Sequence, residues 1–304
     1  MRPAPSVSRM PVPRATSTSA AFADLHRPGA PLLLPNAWDH ASATAMAGRG
    51  FRAIGTTSLA VAAAVGLPDG ASATRDETLR LALTLGSQPF LLSVDAESGF
   101  SDDPDEVAEL ARQLAAVGAV GINLEDGLGP AALHTAKIAA VKSAVPGLFV
   151  NARTDTYWLG ERSTTETLAR LDAYRQAGAD GVFVPGLTDP GEIAVLVQRV
   201  DLPLNILYSP AGPTVLQLSE LGVSRISLGS FLYRRALGAA LEAVDEVCGG
   251  RSPGGRTPTY QEVASLGTGP GALFDTAASP GRPWIDAIGT RVSTHSTSAA
   301  RRQV

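Results

Sequence analysis

From residue 31 to about 248 the chain alternates short apolar runs with helical stretches rich in Ala, Leu and Arg, joined by polar or glycine-containing links. The apolar runs are LLLPN (32–36), AIGTT (53–57), FLLSVD (90–95), VGINLE (120–125), LFVNAR (148–153), GVFVP (181–185), LNILY (204–208) and RISLG (225–229). Runs without polar alternation suit strands covered on both faces. Eight of them, each followed by a helix, predict a closed (β/α)8 barrel of the TIM type. A doubly wound open sheet is the competing topology, but no strand-to-helix turn carries the GxGxxG or GxxxxGK[ST] motif that often accompanies it. Helix punctuation agrees with the division. DDPDEVAELARQLAAVGA opens with acids and a proline and closes on Gly118, as the helix dipole and C-terminal geometry prefer.

Composition narrows the class. The chain has 304 residues, 44% of them hydrophobic, and no apolar run approaching the length of a membrane span. A net charge of −4 without a basic cluster argues against nucleic acid as a partner. The single Cys248 excludes an internal disulfide framework and a cysteine-based zinc cluster, and favours a cytoplasmic location. Residues 1–24 carry Pro, Ser and Arg but no continuous apolar core of a secretory signal; they read as a disordered extension. The barrel is expected over 25–248. Residues 249–304 form a tail rich in Gly, Pro and Ser, with one short helix expected near 259–266, TYQEVASL.

In a barrel of this kind the carboxyl ends of the strands converge on one mouth. Those ends hold Asn36 with Trp38 and Asp39, then Thr56, Thr57 and Ser58 with Asp69 on a long following loop. Next come Asp95 and Glu97, Glu125 and Asp126, then Asn151, Arg153 and Asp155, and finally Asn205, Tyr208 and Ser209. Asp95 and Glu97 are two apart and on extended backbone would share one face. Like charges so placed repel, more so with Glu125 beside them, unless a cation lies between. Oxygen-only ligands suit Mg2+, or Mn2+, and disfavour zinc. The alternative, helix capping and solvated loops, is the preferred reading for Asp102, Asp103, Asp105 and Asp189.

The segments PNAWDHASA, GTTSLAVAAAVGLPDG, SVDAESGF, VGINLEDG, NARTD, AGADGVFVPGL and LGVSRISLGS together resemble the isocitrate lyase and phosphoenolpyruvate mutase superfamily, over roughly residues 31–245. The resemblance implies a phosphoenolpyruvate/pyruvate-type barrel that binds Mg2+ and a small 2-oxo or 2-hydroxy carboxylate. Its chemistry makes or breaks a C–C or P–C bond next to a pyruvate-type enolate. It further implies Asp95 as the direct metal ligand, with Glu97, Glu125 and Asp69 holding the ion mostly through water. Thr56, Thr57 and Ser58 match the segment whose amides receive the substrate carboxylate, Arg153 the arginine on substrate oxygens, and Asn205 the opposite wall. Arg153 and Glu125 are thus the catalytic candidates. Trp38 and Tyr208 are candidate walls, ordinary barrel packing being the alternative for both.

Departures from the superfamily are equally informative. The segment EDGLGPAALHTAKI runs from the fourth strand almost directly into a helix, without the Cys- and Lys-bearing lid of the lyases. The only lysines are Lys137 and Lys142 on that helix; Lys137 and His134 are read as a solvated helix surface. Glu97 stands where aspartate is usual, and Gly186 where isocitrate-type lyases carry glutamate. The expected function is a Mg2+-dependent lyase or decarboxylase of a small carboxylate, in a dimer or tetramer of the chain. A phosphonopyruvate-type mutase or hydrolase and a non-catalytic carboxylate-binding barrel are the alternatives. Tyr157, His134 and Asp39 are the candidates for a general acid or base.

Overall fold

A computed structural model of the chain describes residues 18–267. Within it, nine parallel strand segments form one sheet: β1 (Leu32–Leu34), β2 (Asn36–Ala37), β3 (Ala53–Thr56), β4 (Leu91–Asp95), β5 (Ala119–Glu125), β6 (Phe149–Arg153), β7 (Gly181–Val184), β8 (Leu204–Leu207) and β9 (Arg225–Ser227). Their order, β1-β9-β8-β7-β6-β5-β4-β3-β2, is a barrel of eight staves, because β1 and β2 are two halves of one stave divided at Pro35. Proline has no N–H to give to a ladder. Before it the stave pairs with β9, and after it with β3. The eight apolar runs in the sequence coincide with the staves to within a residue or two.

The helices are α1 (Thr18–Ala23), α2 (His40–Gly48), α3 (Ser58–Val65), α4 (Arg75–Leu85), α5 (Pro104–Ala116), α6 (Ala131–Ala144), α7 (Thr164–Gln176), α8 (Pro190–Arg199), α9 (Val215–Glu220), α10 (Phe231–Cys248) and α11 (Tyr260–Ser265). Their starts follow from local chemistry. Asp103 caps α5 by accepting from the Asp105 amide, Pro104 fills the first turn, and Val107, Leu110, Ala111 and Leu114 recur on the buried face. Asp189 with Pro190 repeats the device on α8. No helix among the described residues is long and apolar enough to cross a membrane.

Alternate strand positions face the lumen, and the register stacks them in tiers. At the amino ends of the strands Ala53 and Phe149 join an apolar cluster with Leu34 and Phe22. Above them lie Asn123, Asn151, Asn205 and Arg225, hydrogen-bonded to one another directly or through Ser227. At the carboxyl ends stand Asp95, Glu125 and Arg153. The lumen therefore runs from apolar to amide-rich to charged.

Helix α1 closes the apolar end, which corrects the expected extension over 1–24. Phe22 is fully buried and approaches β5 so closely that a Cβ at Gly121 would lie 2.8 Å from its ring. Within the described residues the barrel's packing thus begins with α1 at Thr18; residues 1–17 lie outside them. At the other end, α11 occupies the place of the expected short helix, and the His40 Nε2 pairs with the Leu266 carbonyl at 3.0 Å. The rest of the expected tail, from residue 268, lies outside the described residues. Helix α10 buries no side chain and turns Leu237, Leu241 and Val244 to solvent.

His26 sits in the apolar plug, its ring stacked 4.4 Å from Phe149 and Nδ1 paired with the Phe22 carbonyl at 3.0 Å. Burial, aided by the Arg225 charge, pushes it down from 6.5 to about 3. The folded state holds His26 neutral while the unfolded chain protonates it. Its contribution is therefore complete above pH 6.5 and is lost as pH falls toward 3. Urea unfolding of His26→Phe is expected to show a flatter acid limb below pH 6.5, the wild type losing up to about 1.4 kcal/mol more per pH unit.

Candidate active site

A cavity of about 740 Å³ opens at the carboxyl ends of the strands. Its lining includes Thr57, Ser58, Asp69, Asp95, Asn123, Glu125, Arg153, Asp155 and Ser227, with Trp158 and Phe183 as aromatic walls and Arg234 at the rim. The carboxylate positions outnumber the two arginines.

Asp95 ends β4 beside the start of α3. Its Oδ2 accepts from the Ser58 amide at 3.1 Å, and its own amide donates to Thr56 Oγ1 at 2.9 Å. A helix N-terminus carries partial positive charge, so α3 steadies a carboxylate held at its tip. The other carboxyl oxygen has no protein partner among the described residues. Asp69 reaches the same cavity from the loop after α3. Burial raises its carboxyl above the usual range, and the Asp95 charge adds to this against the Ser58 hydroxyl. Thr56 does not line the cavity: its side chain serves Asp95, and its carbonyl accepts from Asn36 Nδ2 at 2.6 Å.

Arg153 is the cation within this ring. It pairs with Glu125 at 2.6 Å through one terminal nitrogen and with Asp155 at 2.6 Å through Nε, leaving the second terminal nitrogen of the fork without a protein partner. The rings of Trp158 and Phe183 flank the guanidinium, each centroid 5.9 Å away. Burial, reinforced by Asp95, Asp155 and Glu97, raises the Glu125 carboxyl to about 8 despite Arg153. The Asp155 carboxyl is also raised by burial, with Arg153 opposing.

Glu97 departs from the expectation that it shares a face with Asp95. Strand β4 ends at Asp95, and Glu97 takes the left-handed conformation at φ +46°, which breaks the alternation of an extended chain. Glu97 is 1% exposed, and its carboxylate turns from the cavity lining to the loop after α3. There it accepts from the Ser72 amide at 3.0 Å and from Thr74 Oγ1 at 2.7 Å. Glu97 thereby anchors the loop that carries Asp69.

Several other candidates stand apart from the cavity. Trp38 packs edge-on against Tyr233 at 5.6 Å, and Asn205 is buried below the floor, donating to Ser227 Oγ at 3.0 Å. Tyr208 does line it. Of the acid or base candidates, Asp39 caps α2, and the Tyr157 hydroxyl donates to Glu192 at 2.9 Å. His134 is buried against the Tyr174 ring and lowered to about 4 by burial; none of the three lines the cavity. The expected solvated surface around His134 and Lys137 is corrected: both are buried. The Lys137 ammonium reaches the Ser98 carbonyl at 3.1 Å and Asp102 at 3.3 Å, its stem covering apolar surface.

No long lid follows β5. The link to α6 is pinned by Asp126, which accepts from the Tyr174 hydroxyl at 2.6 Å, Arg170 at 3.1 Å and the Leu128 and Asp155 amides. Burial alone would raise that carboxyl, but these donors hold it below the usual range. At Gly186, where the superfamily's lyases carry glutamate, φ is +80° and a Cβ would meet the Tyr157–Trp158 backbone at 3.0 Å. A glutamate there would be strained at that φ and would require the Tyr157–Trp158 backbone to give way.

Among the described residues no three carboxylate, imidazole or thiol groups converge tightly enough to grip a metal unaided. The donors around the cavity are oxygens, the type that suits a hard ion whose shell water completes. Sequence reasoning placed Asp155 at the mouth without giving it a role, and passed over Asn123, Trp158 and Ser227 as site residues. Their signal was position: Asn123 stands on β5 and Trp158 shortly after β6, strands that already supply candidates, whereas Ser227 ends β9, which supplied none.

The family model described as phosphoenolpyruvate phosphomutase matches residues 22–248. An uncharacterized protein of Mycobacterium tuberculosis strain H37Rv is 47% identical over 234 residues, covering 75% of this chain and 89% of its own. The 2-methylisocitrate lyase of Bacillus subtilis is 30% identical, covering 60% and 64%. A Burkholderia cenocepacia crystal structure, described as that of a candidate phosphonomutase, superposes with TM-score 0.72 at 38% identity, covering 76% of this chain and 100% of that one. The same fold, at 22% identity and TM-score 0.72 over 83% and 95% of the two chains, is that of a phosphonopyruvate hydrolase solved with oxalate and Mg2+.

Removing the Glu97 anchor is expected to loosen the Asp69 loop without opening the barrel. Glu97→Ala should cost about 2 kcal/mol and raise amide hydrogen exchange selectively over residues 66–74, read by mass spectrometry.

Proposed function

This chain belongs to the phosphoenolpyruvate phosphomutase family, a family of C–C lyases and mutases, and from that membership we propose that it is a cytoplasmic, Mg2+-dependent lyase or decarboxylase of a small 2-oxo or 2-hydroxy carboxylate. The observation that carries the proposal is the meeting of Asp69, Asp95, Glu125 and Asp155 around one cavity, with Arg153 set among them and Arg234 at the rim. Such an excess of desolvated carboxylates calls for a further cation.

Asp95 would hold Mg2+ directly, with Asp69 and Glu125 acting through water. Bound there, the ion supplies Lewis-acid stabilisation of charge developing on substrate oxygens. Glu97 supports this ligand set indirectly, by fixing the loop of Asp69. Thr57 and Ser58, at the amino end of α3, supply backbone dipole to a substrate carboxylate. Arg153 brings a fixed positive group whose remaining N–H donors meet substrate oxygens. Because Glu125 and Asp155 orient it before substrate arrives, little reorganisation accompanies reaction. Trp158 and Phe183 keep water from the guanidinium. Oxygen-rich acids of a few carbons suit this lining better than extended or apolar substrates.

P–C chemistry, as in a phosphonopyruvate-type mutase or hydrolase, is the second reading. It is favoured by the 38% identity to the Burkholderia cenocepacia protein. Products from oxaloacetate, 2-methylisocitrate, other 2-hydroxy diacids and phosphonopyruvate, followed by proton and phosphorus NMR, separate the two. Retained ligand binding with no turnover of any would favour a carboxylate-binding barrel instead.

With Mg2+ and millimolar oxalate together, the melting temperature is expected to rise by about 5 °C, and Asp95→Ala to abolish the rise. An unchanged wild-type melting temperature would refute the metal-and-carboxylate reading.

A further inference from the structure

Arg225 is the bulkiest of the fully buried side chains among the described residues, and the mechanism above makes no use of it. It opens β9 and extends beneath the cavity floor. Its Nε donates to Ser227 Oγ at 3.0 Å and one terminal nitrogen to Asn123 Oδ1 at 3.2 Å; the other terminal nitrogen has no partner. Burial lowers its proton affinity to about 9, with the Asp95 charge opposing, so it is charged at neutral pH. A buried charge costs several kcal/mol, and the use of its donors accounts for what that charge achieves.

A guanidinium offers donors only and therefore dictates how its partners turn. Asn123 must present Oδ1 to it, and the Asn151 amide takes the remaining lone pair of that oxygen at 2.9 Å. The Asn123 Nδ2 is thereby turned out of the network. It has no protein partner among the described residues, and Asn123 lines the cavity. Ser227 is constrained in the same way. Its Oγ accepts from Arg225 Nε and from Asn205 Nδ2, each at 3.0 Å, which occupies both lone pairs and directs the hydroxyl proton to the cavity it lines.

We infer that Arg225 is a positioning residue that fixes Asn123 and Ser227 as paired hydrogen-bond donors on the cavity floor, where the substrate places an acceptor-only group, a carboxylate or keto oxygen. Asn123 is the register partner of Asp95 across β4 and β5, so the Asn123 donor stands beside the proposed metal ligand. The inference rests on the metal-and-carboxylate reading above and extends it to substrate selection: groups that donate hydrogen bonds, and apolar groups, are rejected at the floor.

The test is calorimetric titration of oxalate into the full chain with saturating Mg2+. Asn123→Asp keeps the acceptors that Arg225 and Asn151 need but replaces the cavity amide with an oxygen; it should weaken oxalate about 30-fold. Ser227→Ala should weaken it about 10-fold. In 15N-labelled wild type, the side-chain amide signal that Asn123→Asp removes should shift on adding oxalate, a change that a purely structural role would not produce. Arg225→Lys, which keeps the charge but not the two fixed arms, should weaken oxalate and reduce that shift. Wild-type affinity in Asn123→Asp, or oxalate binding without movement of the amide signal, would overturn the inference alone. Failure of wild type to bind oxalate would overturn the reading beneath it and this inference together.

Discussion

Confinement of like charge at the mouth of a parallel barrel is the constraint from which the rest of the site follows. Strand register fixes which side chains share the lumen, so Asp95 and Glu125 cannot move apart without breaking ladder hydrogen bonds. Each carboxylate is provided for separately. Asp95 takes an amide at the tip of α3, while Glu125 and Asp155 divide the Arg153 fork. Glu97 leaves the cavity for a loop that needs an acceptor. The charge that these arrangements do not balance is what gives a metal ion its place in the account.

The tiered lumen separates stability from chemistry. Apolar packing around Phe22 and Phe149 seals one end, and the charged tier opens at the other. Between them the amide tier passes the orientation imposed by Arg225 up to the floor of the cavity. The loop after β5 is short and tied down by Asp126. At the rim the exposed side chains of Trp158 and Leu159 follow β6 instead, next to the guanidinium whose surroundings they would dry.

Most of the fold could be read from the sequence, because each stave is a short run buried on both faces and bounded by helix caps. Pro35 splits the first stave inside what the hydrophobic pattern presents as a single run. Asp95, Glu125 and Arg153 were legible as a set because strand ends in a barrel converge; Asp69, on a loop, joined them only through the family resemblance. What failed was extrapolation of strand periodicity past the strand end, at Glu97, where a single left-handed residue redirects the side chain. Lys137 misled because exposure was inferred from residue type, whereas its ammonium finds a carbonyl and a carboxylate. The order of α1 was hidden because six residues cannot show a helical period, and only Phe22 hints at burial. Arg225 was invisible as a floor residue, since its role depends on Asn123, 102 positions away along the chain, as well as on nearby Ser227.

The most direct measurement of the central claim is water-proton relaxation during titration of the full chain with Mn2+. The account predicts one saturable site per chain whose enhancement falls when oxalate displaces water from the ion, and which is lost in Asp95→Ala. Absence of enhancement at millimolar Mn2+, or an enhancement indifferent to both oxalate and Asp95, would contradict it.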